Sequence, residues 1–224
     1  MSLDIHIRHL GSPARCFVRD LRLHIAPGVI HTLMGASGSG KSSVLAAIAG
    51  LLPLQPTHTA EGLGGDWTVS LHGQCLDGLP TERRGIGLLF QDDLLFAHMT
   101  VAENLRFAVP AGPEAQRSAA VRDALQEAGL DGLGDRDPAS LSGGQRARVA
   151  LMRALLAKPR ALLLDEPFSR LDTALRRQFR ERVFAHIRAR DIPALLVTHD
   201  LDDVADPERL VRLDDHTPQG PRHA

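Results

Sequence analysis

The sequence predicts an α/β fold with a parallel-sheet core, a small antiparallel β subdomain and an inserted α-helical subdomain, and three observations carry that expectation. A strand-like run at residues 29–34 passes through a glycine-rich loop, GASGSGKS, into the alanine- and leucine-rich segment SSVLAAIAGLL. Two short apolar runs, residues 161–164 and 194–197, have the continuous hydrophobicity of strands buried on both faces. After Gln91 the pattern turns helical, which places a helical insertion between the glycine loop and those runs.

In chain order, the N-terminal MSLDIHIRHL carries charge early and lacks the apolar core and cleavage site of a signal peptide, so the chain is expected to stay inside the cell. Leu21, Leu23 and Ile25 alternate with Arg22 and His24, the period of a half-buried strand, before Pro27-Gly28 turns the chain. The helix after the glycine loop is expected to stop near Pro53. Residues 56–66, polar and glycine-rich, read as a loop insertion, and 67–71 and 86–90 read as strands.

Helices are expected at 101–109 and at 113–130, with Pro113 suited to a start and Gly129 to an end. A further helix runs over 145–157 to Lys158-Pro159. Leu175, Phe179, Val183 and Ile187 form an i, i+4 apolar stripe on the next helix. A last strand at 210–213 precedes DDHTPQGPRHA, expected to be a disordered tail. The expected organisation is one domain over 1–213, with core segments at about 1–91 and 158–213, a helical subdomain at about 92–157 and a tail at 214–224.

Bulk properties narrow the partners. Among 224 residues, 26 basic side chains nearly balance 27 acidic ones, so no global positive field argues for nucleic acid. The arginine-rich RRQFRERVFAHIRAR reads as an amphipathic helix with a solvated face. The longest apolar stretch, residues 44–54, falls short of the about 18–20 residues that span a bilayer. Cys16 and Cys75 are far apart and without ligand-spaced neighbours, and they read as ordinary thiols.

GASGSGKS fits G-x-x-x-x-G-K-[ST] between a strand and a helix, the context that motif requires. The backbone of Gly35, Ala36, Ser37, Gly38, Ser39 and Gly40 would bring amides to phosphates at the helix that Lys41, Ser42 and Ser43 open. Lys41 suits the β and γ phosphates, and the Ser42 hydroxyl suits Mg²⁺. LLLDEP ends a buried strand in two carboxylates, Asp165 to hold the Mg²⁺ shell and Glu166 to accept a proton from an attacking water. LSGGQ is the most discriminating segment, because five fixed residues recur by chance on the order of once per million positions. Capping of a helix by Ser142 would explain part of it but leaves Gln145 unaccounted for.

Together these segments, in this order and spacing, resemble the ABC ATPases over nearly the whole chain. The resemblance implies an ATPase using ATP and Mg²⁺. It implies that Ser142, Gly143, Gly144 and Gln145 complete the partner's P-loop site in a head-to-tail homodimer. Gln91 in GLLFQDDLLF looks like the Q-loop residue that touches Mg²⁺ or water, and His199 in LLVTHD like the switch histidine at the γ-phosphate. FSRLD resembles the D-loop, with Arg170 where Ala is usual and Asp172 retained. No upstream aromatic stands where the family stacks adenine, and Phe17 is the nearest candidate.

QDDLLFAHMTVAENL is similar to importer subunits handling small polar or ionic solutes, and GLLFQDDLLF together with LSGGQRARVALMRALLAKPRALLLDEPFSRLD most resembles a branch related to thiamine and ferric-ion importers. That implies two transmembrane permease subunits as partners, a solute-binding protein indirectly, and a position on the inner face of the cell membrane. A soluble ABC ATPase acting on DNA, ribosomes or cluster assembly is the alternative.

Overall fold

The computed structural model describes residues 2–12, 15–52 and 63–217. Two strands open the chain, β1 (Leu3–Ser12) and β2 (Arg15–Ile25), paired antiparallel so that Leu3 faces Ile25 and Ile7 faces Leu21. The first of these lies in the segment read only for targeting, although Leu3, Ile5 and Ile7 are buried and alternate with Asp4, His6 and Arg8. β3 (Ile30–Met34) leads into α1 (Lys41–Ala49), and β4 (Gly64–Leu71) and β5 (Gln74–Cys75) complete the antiparallel sheet in the order β2-β1-β4-β5.

Three expectations shift here. The helix α1 stops at Ala49, where Gly50 at φ 81 takes the left-handed cap, before the expected end near Pro53, itself outside the described residues. Of the loop insertion at 56–66, residues 56–62 lie outside the described residues, and Gly64, Gly65 and Asp66 already belong to β4. Leu213, expected to close the last strand, is buried and instead opens a 3-10 turn, Leu213–His216, that takes in the first residues of the expected tail. Thr217 Oγ1 donates to the carbonyl of Phe17 at 3.0 Å, so this segment braces β2, while 218–224 lie outside the described residues.

β6 (Ile86–Leu89) precedes three helices, α2 (Val101–Ala108), α3 (Glu114–Glu127) and α4 (Gly143–Leu156). Thr100 and Glu103 close a capping box on α2. Buried Asn104 ties down the preceding loop, accepting from the Phe96 amide at 2.8 Å and donating to the carbonyls of Phe96, Met99 and Thr100. The chain then returns through β7 (Ala161–Asp165), α5 (Thr173–Ala189), β8 (Ala194–Thr198) and β9 (Leu210–Arg212).

The second sheet is wholly parallel, in the order β6-β7-β8-β3-β9. Its three central strands, β7, β8 and β3, are buried on both faces, and their alternation divides the core. Leu163, Leu195 and Val197 pack with α1 and the antiparallel sheet, while Leu162, Leu164 and Leu196 pack with α5 and the helical subdomain. On α5 the expected stripe is present, with Phe179, Val183 and Ile187 buried. Because the strands run parallel, the ends of β3, β6, β7 and β8 all deliver their loops to one edge, where open α/β sheets bind ligands.

Candidate active site

That edge holds a cavity of about 620 Å³. From the end of β3 come Gly35, Ala36, Ser37, Gly38, Gly40, Lys41, Ser42 and Ser43; Gln91 comes from beyond β6, Asp165 and Glu166 from β7, and His199 from beyond β8. Ser39 is the exception in the expected loop set: it is 8% exposed and turned beneath the loop, with its amide donating to the Ala36 carbonyl at 3.2 Å. Lys41 Nζ donates to the carbonyls of Gly35 and Ala36, both at 2.8 Å, which holds the ammonium across the loop.

Gly40 starts α1 in the left-handed region at φ 98, and a Cβ there would meet the Cβ of Phe17 at 2.8 Å. Glycine therefore lets the loop close on β2 and brings Phe17 to the rim of the cavity. The Arg15 guanidinium lies 5.0 Å from the centre of the Phe17 ring. Phe17 therefore lines the cavity as well as belonging to β2.

The two carboxylates differ in environment. Asp165 is 7% exposed, and burial raises its pKa above the ordinary value, partly offset by Ser42 and Lys41. A bound cation would relieve that cost. Among the described residues no three His, Cys, Asp or Glu side chains form a metal-ligand group. One carboxylate beside a serine hydroxyl fits Mg²⁺, which keeps waters and phosphate oxygens in its shell. Glu166 sits at φ 50, a strained backbone for a non-glycine residue, with its amide donating to the Val197 carbonyl at 2.9 Å. Its Oε1 lies 2.6 Å from Nδ1 of His199, so a carboxylate and an imidazole meet inside the cavity.

Ser142, Gly143, Gly144 and Gln145 of LSGGQ, the signature segment, are not among the residues that line this cavity. Ser142 caps α4, its hydroxyl accepting from the Gln145 amide at 3.2 Å, while Gln145 Oε1 accepts from the Ser142 amide at 2.8 Å. Gln145, which capping by Ser142 alone leaves unexplained, is therefore the reciprocal half of a capping box. Gly144 is needed because a Cβ there would meet the Arg170 carbonyl at 2.9 Å, so the segment after Glu166 packs on the signature turn of the same chain.

Arg170 bonds Asp92 at 3.0 Å and Asp93 at 2.9 Å, and Arg146 of α4 stands 3.4 Å from Asp93. The charge at the unusual position is thus spent on the acids beside Gln91. Sequence reasoning named Arg170 but missed these partners, since the pair DD in QDD gives no sign of what faces it. Beyond Gln91 lies an apolar groove of about 350 Å³, lined in part by Phe90, Leu94 and Phe107, which are 43%, 57% and 63% exposed.

Residues 18–169 match the protein family described as ABC transporter. The chain is 51% identical over 196 residues to the uncharacterised ABC transporter ATP-binding protein YnjD of Escherichia coli, covering 87% of each. It is 40% identical over 201 residues to the sulfate/thiosulfate import ATP-binding protein CysA 2 of Agrobacterium fabrum, covering 88% of this chain but 56% of that one. In fold it is similar to a dimeric structure of the ATP-binding cassette MJ0796 bound to ADP and Pi, with a TM-score of 0.77 at 24% identity over 94% of this chain and 93% of that one.

Proposed function

The chain belongs to the ABC transporter family, and on that premise we propose that it binds and hydrolyses ATP to power solute import across the cell membrane. One observation carries the reading: a single cavity collects Lys41, Ser42, Gln91, Asp165, Glu166 and His199 from four loops, while the signature turn presents itself elsewhere.

In this reading the loop amides and Lys41 hold the β and γ phosphates. Ser42, Asp165 and Gln91 would hold Mg²⁺, which supplies neutralisation of phosphate charge. Glu166 accepts a proton as the water oxygen bonds to the γ-phosphorus, and the bond from that phosphorus to the bridging oxygen breaks to give ADP and phosphate. His199, bonded to Glu166, orients that carboxylate and touches the γ-phosphate. Phe17 stacks on adenine at the rim.

Ser142, Gly143, Gly144 and Gln145 then serve the cavity of a partner copy in a head-to-tail homodimer, a reading supported by their absence from the residues that line the chain's own cavity. The groove of Phe90, Leu94 and Phe107 beside Gln91 suits an apolar segment of each of two permease subunits, which a solute-binding protein would supply with cargo. The chain would sit on the cytoplasmic face of the membrane, and no helix among the described residues is long and apolar enough to cross it. No nucleic acid takes part.

The test is co-expression with a candidate pair of importer permease subunits. ATPase activity that fractionates with the membranes and the permeases is expected. An ATPase that never joins the membrane in their presence overturns the transport reading.

A further inference from the structure

The turn after β8 carries His199 and ends in a carboxylate shut away from solvent. Asp203 closes the 3-10 turn Leu201–Asp203 and is 0% exposed, a position where an unpaired charge is heavily penalised. Two arginines one helical turn apart on α5 meet it. Arg176 grips it bidentately, with Nε donating to Oδ1 at 3.0 Å and Nη2 to Oδ2, and Arg180 stands 3.3 Å from Oδ1. Arg176 also pairs with Asp200 at 2.9 Å, and Arg180 donates to the Asp202 carbonyl. The whole turn is therefore fastened to one face of α5.

The fastening reaches the hydrolytic pair. Thr198 is fully buried, and its hydroxyl stands 3.5 Å from Asp203 Oδ2 and 3.4 Å from Glu166 Oε2 while accepting from the Asp200 amide at 3.1 Å. The next residue, His199, bonds the other oxygen of Glu166. The helix that grips this turn begins at Asp172, whose side chain caps it by accepting from the Leu175 amide at 3.0 Å. Glu166, the segment after it, α5, Asp203 and Thr198 thus form a closed circuit. We infer that Asp203 is a positioning residue for hydrolysis: clamped by Arg176 and Arg180, it fixes residues 198–203 so that Thr198 and His199 hold both oxygens of Glu166 in place.

This rests on the ATPase reading, and the two fail differently: an inactive parent chain sinks that reading, whereas a fully active Asp203→Asn chain sinks only the role of Asp203. Asp203→Asn keeps the shape and removes the charge. Its kcat is expected to fall about tenfold, as for a catalytic group displaced by a fraction of an ångström, with KM for ATP within about twofold. In a His199→Ala background the same substitution should lower kcat by less than about twofold more, because the two act through one carboxylate.

Thr198→Val, which deletes the hydroxyl, should repeat the split in kcat and KM, and Thr198→Ser should restore the parental kcat. This pair decides the matter if Asp203→Asn does not fold. Unchanged kcat, a loss shared equally with ATP binding, or a full multiplicative loss in the His199→Ala background each overturns the inference.

Discussion

Two helices of this chain begin at glycine-rich turns, and they are finished in opposite ways. At α1 the cap is Gly40, in the left-handed region and with no side chain capping the first turn. At α4 the cap is Ser142, and a complete capping box with Gln145 occupies the same positions. The first end lines a cavity, as a phosphate site requires, and the second is closed by its own side chains. On the proposed function, the bare helix end would be a receptor within the chain and the self-capped one a docking piece that stays stable alone.

The contrast breaks first at the chemistry of the cavity. Glu166→Gln should leave ATP binding intact and lower turnover by about 10²–10⁴-fold, with an ATP-bound dimer accumulating in size-exclusion chromatography. Turnover at the parental rate would remove Glu166 as the base. Next, Lys41→Ala deletes a charged donor at the bare end, and ATP affinity measured by calorimetry should weaken about 10–100-fold.

Asp165 sharpens the comparison through stability. Its folded pKa is raised by burial, so folding disfavours its charged form, and the chain gains stability as pH falls through that raised pKa toward the unfolded value. Asp165→Asn should therefore raise the melting temperature at neutral pH without added cation while abolishing turnover; a fall in melting temperature would contradict the sign. At the self-capped end, Ser142→Ala should cost about 1 kcal/mol of stability and impair dimerisation and turnover, with ATP affinity of the monomer unchanged.

The smallest effect belongs to Arg170→Ala. Asp92 is exposed, and a solvated pair of that kind contributes about 0.2–1 kcal/mol, while Arg146 stays beside the largely buried Asp93 when Arg170 is removed, so chemical denaturation is expected to shift by no more than in the Ser142 variant. A larger shift would show that Arg170 supports the signature turn itself.

Much of this division was legible beforehand, because motif and strand end coincide. Asp165 closes a strand whose every residue is apolar until the carboxylate, and Lys41 opens a helix straight after glycines. Phe17 was legible as the nearest aromatic candidate, but not the reason its ring reaches the cavity, which is that Gly40 lacks a Cβ. The clamp on Asp203 was equally hidden: an acid in THDLDDVAD reads as solvated until the arginines of α5, 27 and 23 positions earlier, are folded against it. The first strand is legible in its alternation, with apolar Leu3, Ile5 and Ile7 set against polar Asp4, His6 and Arg8. What single-chain patterns miss here is charge that is satisfied across long sequence separations.

The cavity is stitched from Phe17 at one end of the chain to His199 near the other. Nucleotide therefore recognises the completed sheet and no fragment of it, which makes it a ligand for folding as well as a fuel. At a hundredfold excess over its Kd such a ligand adds about 2.7 kcal/mol to the stability of the native chain. Nucleotide would then hold the chain closed against unfolding and proteolysis as well as driving its turnover.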